Sequence, residues 1–267
     1  MVTARFVRGR RGVTFEPEER ARLESIISEV RHIDPGSRMV RAGEHLTHST
    51  LLVDGFLCRY IDDRKGLRQL ITFHVPSVFV DLSGYPLKTF DHSFASLTVV
   101  LVASVPHTAL GQIERDAPEM ARKLWFATLL DAAVHRAWLF RLGRRDALGR
   151  VAHFLCETNE RMVLVGLSDG RSFILVLTQN DLAEIYELTN VHVNRAVRTL
   201  REQNLCLFRG SQVKIPDLQR LITGGQFDPD YLYIDEFAAG ALNKEMERAD
   251  TGVFSNTVAN PARYRGR

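Results

Sequence analysis

The sequence predicts an α+β protein with a β-rich N-terminal half, one long helix and a C-terminal winged helix-turn-helix domain. Short apolar runs separated by turn residues follow one another between residues 31 and 105, a pattern typical of a small barrel, β-roll or jelly roll. Apolar residues at helical spacing extend from Asp116 to about Gly143. Two short helical patterns and a hairpin pattern lie between Thr178 and Ile215.

The first helix of the C-terminal pair is predicted to begin after Thr178. Threonine is a favoured N-cap, and Asp181 stands three residues further on, where an acidic side chain can complete a capping box. Leu182 and Ile185 give this helix an apolar face. The helical pattern breaks at Tyr186-Glu187-Leu188, so we expect a tight turn there.

The second helix is predicted to begin after Thr189, and its two sides differ in chemistry. Its inner side carries Val193, Ala196, Val197 and Leu200. Its outer side carries Val191, Asn194, Arg195 and Arg198, which recur at i, i+3, i+4 and i+7. Arginine can bond guanine bidentately, and asparagine can do the same with adenine. The helix therefore suits a DNA major groove, and the alternative is a solvated basic face in any small helical domain.

The segment after this helix favours DNA binding over that alternative. Apolar residues within 205–208 and 212–215 flank Arg209-Gly210-Ser211, which predicts a β-hairpin. Asp217 then begins another short helix. A helix, a turn, a second helix and a hairpin in this order form a winged helix-turn-helix.

The run Asp181–Leu205, with the hairpin after it, resembles the DNA-binding domain of Crp/Fnr-type bacterial transcription regulators. Thr189–Arg195 is similar to the start of that family's recognition helix. Glu187 departs from the glycine usual in the family's turn, where a permissive backbone is favoured. The resemblance covers roughly residues 20–235. It implies a sequence-specific regulator that binds palindromic double-stranded DNA as a homodimer, with RNA polymerase as a further partner.

The exposed side chains of the predicted recognition helix, near residues 190–201, fall into two groups. Those that we expect to contact base edges are Val191, Asn194 and Arg195. Those that we expect to contact phosphates, and so to position the protein without specifying a sequence, are Thr189, Asn190, His192 and Arg198.

The N-terminal half resembles the family's sensor domain, a β-roll like that of cyclic-nucleotide-binding proteins. Gly43-Glu44 and Lys65-Gly66 fall where that roll turns. The ligand pocket departs from the family's pattern, because Asp81-Leu82 replaces the Gly-Glu pair for the ribose, and residues 83–105 contain no arginine for the phosphate. A phosphodiester buried without such a cation is costly. We therefore expect no cyclic nucleotide and leave the effector unidentified.

No other cofactor is expected. The oxygen-sensing branch of the family holds an iron–sulfur cluster on clustered cysteines, whereas the N-terminal region here has only Cys58. His45 and His48 lie in the β-rich half, but the further ligands of a metal-binding barrel enzyme are missing. The sequence has no glycine-rich phosphate loop and no nucleophile motif, which predicts that the protein is not an enzyme. The alternative function is a small-molecule sensor that acts through protein–protein contacts.

The long helix carries two apolar stripes, so it either has two partners to pack against or is wholly buried within one domain. Because the family pairs through this helix, one stripe is assigned to a second chain, and its residues are Leu124, Ala127, Leu130, Val134, Ala137 and Trp138. The other stripe, which includes Trp125, Leu129 and Phe140, is assigned to the β-roll. Arg141–Arg145 is predicted to be a hinge.

Composition bounds the remaining expectations. The chain has 267 residues and a net charge of +3, which permits nucleic acid as a partner without indicating it. Three scattered cysteines, no signal-peptide core and no apolar run of membrane length predict a cytoplasmic protein. The predicted segments are a flexible basic N-terminus at 1–17, a β-roll at 18–115, the long dimerisation helix at 116–143, the winged domain at 144–222 and a partly disordered C-terminal extension at 223–267.

Overall fold

The computed structural model describes residues 1–235. The described chain forms two compact units, Met1–Ala133 and a second that begins at Val134, so the division falls inside the longest helix and not at residue 144. Most of the predicted C-terminal extension, including all of its polar tail from residue 239, lies outside the described residues. No helix of the described part is both long enough and apolar enough to cross a bilayer.

The first unit is a β-roll with helices, and its strands form two antiparallel sheets. In chain order its elements are α1 (Pro17–Ser25), β1 (Glu29–Ile33), β2 (Arg38–Val40), β3 (His48–Asp54), β4 (Leu57–Asp62), β5 (Arg68–His74), β6 (Val78–Phe79), α2 (Gly84–Leu87), β7 (Ser93–Ser96), β8 (Val100–Pro106), α3 (His107–Asp116) and the first part of α4 (Pro118–Arg144). The strand orders are β1-β8-β3-β6 and β2-β7-β4-β5. This arrangement confirms the predicted roll, and α3 is a helix that the sequence analysis did not predict.

Two apolar clusters stabilise the first unit. One joins the two sheets, with Leu52 and Val102 from the first sheet and Leu57 and Phe94 from the second. The other packs the helices around the first sheet and includes residues of β3, β8, α3 and α4. Because burial of each large apolar side chain contributes about 1.5–3 kcal/mol, these clusters fix the first part of α4 on the roll.

The N-terminal segment belongs to the second cluster, which contradicts its predicted flexibility. Phe6 is 1% exposed, and its ring meets Phe79 edge-on with 5.1 Å between centroids. Phe15 is buried beside it. The backbone N–H of Thr3 donates to the Glu24 carboxylate at 3.1 Å. The arginines of this segment suggested a flexible basic tail, whereas Phe6 and Phe15 anchor it in the fold.

The second unit begins with the end of α4 and contains the winged helix-turn-helix. Its further elements are α5 (Ala147–Leu164), β9 (Ser172–Ile174), α6 (Gln179–Tyr186), α7 (Asn190–Glu202), β10 (Leu207–Arg209), β11 (Gln212–Lys214), α8 (Leu218–Gly225) and a 3₁₀-helix (Pro229–Leu232). The predicted helix pair and hairpin are confirmed. The hairpin β10-β11 is extended by β9 into an antiparallel sheet, with Val213 opposite Phe173.

Local signals define the helix-turn-helix as the sequence predicts. The Thr178 hydroxyl accepts from the Asp181 N–H at 3.2 Å, and the Asp181 carboxylate accepts from the Thr178 N–H at 2.6 Å. This capping box begins α6. The helix ends at Glu187, whose backbone is left-handed with φ 51° and ψ 41°. Thr189 then caps α7 through the N–H of His192.

A buried carboxylate joins α4, α5 and the 3₁₀-helix of the second unit. Glu157 is fully buried and accepts hydrogen bonds from Trp138 Nε1 at 2.9 Å and from the Tyr231 hydroxyl at 2.7 Å. It also pairs with Arg141 at 3.4 Å and with Arg161 at 3.2 Å. Burial raises the pKa of Glu157, but the two guanidinium charges outweigh that effect and hold the pKa below its usual value. The residue therefore stays ionised and satisfied inside the unit.

The predicted hinge at Arg141–Arg145 is instead part of this packed structure. Helix α4 continues to Arg144, and Arg141 is 1% exposed. Arg150 of α5 donates from Nη2 to the Leu142 carbonyl at 2.7 Å and from Nη1 to the Tyr186 carbonyl at 2.9 Å. The run of charges suggested a solvent-exposed break in the helix. The residues that bind this run, Glu157 and Arg150, lie further along the chain in α5.

Gly225 is predicted to be required for the contact of α8 with α5. A Cβ at Gly225 would lie 2.6 Å from the backbone nitrogen of His153, which cannot rotate away. We expect Gly225→Ala to lower the free energy of unfolding by about 1–3 kcal/mol, measured by urea unfolding. Gly224→Ala is the matched control, because nothing lies within 4 Å of its Cβ position. Equal effects of the two substitutions would contradict this packing.

Glu187 is predicted to carry conformational strain that glycine removes. A left-handed backbone costs an L-residue about 1–2 kcal/mol, whereas glycine adopts it freely but loses about 0.5–1 kcal/mol through entropy. We expect Glu187→Gly to raise the free energy of unfolding by about 0.5–1 kcal/mol. Glu187→Ala keeps the Cβ and should leave the stability close to that of the wild type. An alanine variant more stable than the glycine variant would refute the strain.

Candidate nucleic-acid interface

Helix α7 presents to solvent every residue that the sequence analysis assigned to DNA. The predicted base contacts Val191, Asn194 and Arg195 are exposed, and so are the predicted phosphate contacts Thr189, Asn190, His192 and Arg198. Val191 is 64% exposed although it is apolar. The structure thus brings all seven residues to one solvent-facing surface, which we call the α7 outer face.

The inner side of α7 holds the helix in the unit. Val193, Ala196 and Leu200 are between 0% and 5% exposed, and α7 packs against α5 and α6. Because these three residues recur at helical spacing, their burial fixes which residues form the α7 outer face.

Hydrogen bonds and one ion pair organise the α7 outer face. Asn194 Nδ2 donates to the Asn190 carbonyl at 2.8 Å. Arg198 pairs with Glu202 at 3.0 Å, and both side chains are well exposed. Such a surface pair is weak and is screened by salt. Both contacts are local to the helix, so a base or a phosphate can replace them at low cost.

The N-terminal end of α7 is suited to an anion. Its first turn contains no acidic residue, and Thr189 caps it. The backbone N–H groups and the helix dipole there favour negative charge. The only acidic residue of α7 is Glu202, at its other end. A phosphate near Thr189 and His192 would therefore meet N–H donors without a repelling carboxylate on this helix.

The wing adds two basic side chains that the sequence analysis did not assign. Arg209 and Lys214 lie on β10 and β11, and both are exposed. A wing extends the surface of such a domain along nucleic acid, so these residues are further candidates for phosphate contacts. The signal was present in the sequence as basic residues at the two strands of the predicted hairpin.

The predicted ligand pocket of the roll contains charged residues that already have partners. Asp81 is buried and accepts from the Thr50 N–H at 2.5 Å. Burial raises the pKa of Asp81 to about 6. Arg59 is buried as well and pairs with Asp131 at 2.5 Å, while Lys88 is exposed. These residues do not fit a cyclic nucleotide. Its phosphate needs an unpaired cation in the pocket, whereas Arg59 is already paired with Asp131.

An iron–sulfur cluster does not fit the chain either. Such clusters are held by four ligands, mostly cysteine thiolates, whereas the whole sequence has three cysteines. These three, Cys58, Cys156 and Cys206, are all buried. Burial raises the pKa of the Cys206 thiol to about 12. Across residues 1–235, no three His, Cys, Asp or Glu side chains are grouped to hold a metal ion, and His45 and His48 are exposed.

The exposure of α4 differs from the predicted dimerisation face. Of the residues assigned to a second chain, Leu124, Val134 and Trp138 are buried, and Ala127, Leu130 and Ala137 are half-buried. The large apolar side chains of α4 that face solvent are instead Trp125, Leu129, Leu139 and Phe140. Both stripes are apolar in sequence, so spacing alone did not reveal which one the chain covers. We call the two of these residues that lie in the first unit, Trp125 and Leu129, the α4 apolar stripe.

A cavity of about 240 Å³ opens beside this stripe in the first unit. Its lining comes from the α2 segment, from α3 and from α4, and it includes Trp125 and Leu129. The Tyr85 hydroxyl donates to Glu114 at 2.8 Å within this lining. The apolar surface of the stripe therefore continues from α4 into a concave region of the same unit.

The winged domain matches a known family. Residues 149–223 match the Crp-like helix-turn-helix domain. This range begins in α5 and ends in α8, so it contains both helices of the helix-turn-helix and the wing.

Relatives extend the similarity beyond this domain. The transcriptional activator protein anr of Pseudomonas aeruginosa is 24% identical over 213 residues, which span 79% of this chain and 87% of that protein. The transcriptional activator protein FnrL of Cereibacter sphaeroides is 25% identical over 219 residues, with 80% and 87% covered. The structure of FixK2 from Bradyrhizobium japonicum superposes with a TM-score of 0.67 at 25% identity, over 73% of this chain and 96% of that one.

The β-roll, the long helix, the winged helix-turn-helix and these similarities agree with one another. The chain contains a Crp-like helix-turn-helix domain at residues 149–223, and over about four fifths of its length it is similar to transcription regulators of the Crp/Fnr type.

Proposed function

We propose that two copies of the chain pair through α4 and place their α7 helices in successive major grooves of a palindromic DNA site. The observation that carries this proposal is the α7 outer face, in which asparagine and arginine side chains are exposed while the opposite side is buried. A two-fold pair of such helices reads half-sites about 34–36 Å apart.

Within this proposal, three residues read bases and the others position the protein. Arg195 and Asn194 have the donors and acceptors that distinguish guanine and adenine in the major groove. Val191, exposed in the first turn of α7, can contact a thymine methyl group. Thr189, Asn190, His192 and Arg198 contact phosphates, and Arg209 and Lys214 of the wing extend that contact.

The α4 apolar stripe is the surface through which the copies pair. Trp125 and Leu129 are 61% and 66% exposed, which is unusual for large apolar side chains on one helix face. Leu139 and Phe140 lie further along the same helix and are also exposed. This revises the predicted pairing surface: the partly exposed Ala127, Leu130 and Ala137 can line its edge, but the buried residues cannot.

A regulator that binds chromosomal DNA acts in the bacterial cytoplasm, where RNA polymerase is a natural second partner. The relatives are activators by name, and we extend to this chain a role in regulating transcription without assigning the sign of regulation.

Arg195→Ala is predicted to weaken binding to the best DNA site by about 1–3 kcal/mol and to relax the preference at one base pair. The measurement is a DNA-binding titration against a panel of sites that differ at single positions. The expected result follows from loss of a bidentate contact to a base edge.

Arg198→Ala is the matched control for this experiment, because Arg198 lies one turn further along the same exposed face. It should weaken binding about equally on all sequences and reduce the slope of affinity against salt. If Arg195→Ala also weakened all sites equally, Arg195 would be a phosphate contact and the assignment of base readout would be wrong.

Leu129→Glu is predicted to weaken the dimer at least about tenfold, because a charge placed in an apolar interface must be desolvated without a partner. Sedimentation over a range of protein concentrations measures the dissociation constant. Val30→Glu on β1 is the control, since Val30 is also apolar and exposed but lies away from α4 in the sequence and on a strand. A dimer unaffected by Leu129→Glu, or weakened equally by both variants, would place the interface elsewhere.

A further inference from the structure

The cavity beside the α4 apolar stripe lies outside the interior of the roll. Within the described part of the chain, its lining comes from residues 82–86, from α3 and from α4, and no strand contributes. Asp81 and Arg59, the charged residues of the predicted ligand pocket, do not line it. All of its lining belongs to the first unit. The cavity is therefore separate from the pocket inside the roll.

Most of the cavity wall is apolar, and its size suits a small organic molecule. Leu110, Ile113 and Leu124 line it and are buried, while Trp125 and Leu129 line it with exposed side chains. An engineered apolar cavity of about 150 Å³ stays dry and holds one benzene molecule. A volume of about 240 Å³ therefore has room for a compound of about two fused rings.

Two polar side chains of the wall form a hydrogen-bonded pair. The Tyr85 hydroxyl donates to Oε2 of Glu114 at 2.8 Å. This hydrogen bond raises the pKa of Tyr85 above its usual value, so the hydroxyl keeps its proton and remains the donor. Among the described residues, the other carboxylate oxygen of Glu114 has no hydrogen-bond partner. The wall thus offers an acceptor to a ligand.

The Tyr85 side chain is fixed by its neighbours on three sides. The His107 ring meets it edge-on with 5.5 Å between centroids. The Lys88 ammonium lies 4.7 Å from the centroid of the Tyr85 ring. A Cβ at Gly111 would lie only 3.1 Å from the Tyr85 hydroxyl oxygen, so the hydroxyl occupies space that a side chain on α3 would restrict. This packing holds the polar pair at one position of the wall.

The charges around the cavity favour an uncharged ligand. Glu114 is the charged residue among the described residues of the lining, and its carboxylate repels an anion. The Lys88 ammonium over Tyr85 and the Arg115 guanidinium beside Gly111 are close to the same carboxylate's hydrogen-bond partner. These two cations reduce the attraction that a cationic ligand would otherwise feel.

We propose that this cavity is a binding site for a small uncharged molecule with an apolar ring body and one hydrogen-bond donor, which donates to Glu114. The body packs against the apolar wall between α3 and α4, and the exposed Trp125 and Leu129 border it. An apolar wall with a few placed polar groups is the usual form of a small-molecule site. This inference concerns binding by the first unit and goes beyond the proposed function.

The test is calorimetric titration of the full-length protein with three matched probes. Indole has a bicyclic apolar body and one N–H donor, 1-methylindole lacks the donor, and indole-3-carboxylate carries a negative charge. We expect indole to bind with a dissociation constant below about 1 mM. The other two probes should bind at least about tenfold more weakly, because one loses the hydrogen bond and the other is repelled.

Three variants locate the site. Thr128→Phe fills the cavity from α4, so it should weaken indole binding at least about tenfold. Ala132→Phe is the matched control, because it adds the same ring one turn further along α4, at a residue outside the lining, and it should change the affinity less than about twofold. Glu114→Ala removes the acceptor and the charge, so all three probes should then bind within about threefold of one another.

Four results would overturn this assignment. Failure of indole to bind, or equal weakening by Thr128→Phe and Ala132→Phe, would show that the cavity is not the site. A preference for indole that persists in Glu114→Ala would show that Glu114 is not the acceptor. Loss of indole binding as the protein self-associates at higher concentration would show that a second copy of the chain fills the cavity instead.

Discussion

The burial of one side of α7 is the constraint on which the DNA-binding surface depends. Val193, Ala196 and Leu200 are almost wholly covered by the second unit, so the helix cannot rotate about its axis without exposing them. Exposing three such side chains would cost several kcal/mol, at about 1–3 kcal/mol each. The opposite residues, Asn194 and Arg195 among them, are therefore held outward with little freedom. Recognition of bases requires this kind of fixed presentation.

The scaffold behind α7 depends on buried polar contacts as well as on apolar packing. Glu157 accepts hydrogen bonds from Trp138 and Tyr231 and pairs with two arginines in the interior of the second unit. In the first unit the buried Arg59 pairs with the half-buried Asp131. Both differ from the exposed pair of Arg198 with Glu202, which water and salt weaken. Such buried pairs add little to the net free energy of unfolding. They favour one packing arrangement over others, because any arrangement that leaves a single buried charge unpaired is strongly unfavourable.

The sequence predicted the helix-turn-helix well because its signals are local. The capping box of Thr178 with Asp181, the cap at Thr189 and the spacing of apolar residues all act within one or two helical turns. The family's turn usually has glycine at the position of Glu187, which indicated a permissive backbone there, and the structure shows that Glu187 adopts the left-handed conformation. The exposure of the α7 outer face followed from the same periodicity.

Features that depend on distant residues could not be predicted in the same way. Arg59 and Asp131 are 72 positions apart, and nothing in their neighbourhoods marks them as partners. The two apolar stripes of α4 look alike in sequence, and only the surrounding structure determines that Trp125 stays exposed while Leu124 is buried. The N-terminal segment was misjudged because Phe6 and Phe15 find their contacts in other elements.

The most direct test of DNA recognition is selection of bound sequences from a randomised pool of duplex DNA by the purified protein without added ligand. We predict recovery of a two-fold symmetric motif whose half-sites are centred about one helical turn apart, roughly 10 base pairs. Such a motif would establish sequence-specific binding by a symmetric pair of α7 helices. Recovery of no motif, with binding that depends only on salt and on the length of the DNA, would show that the α7 outer face does not read bases.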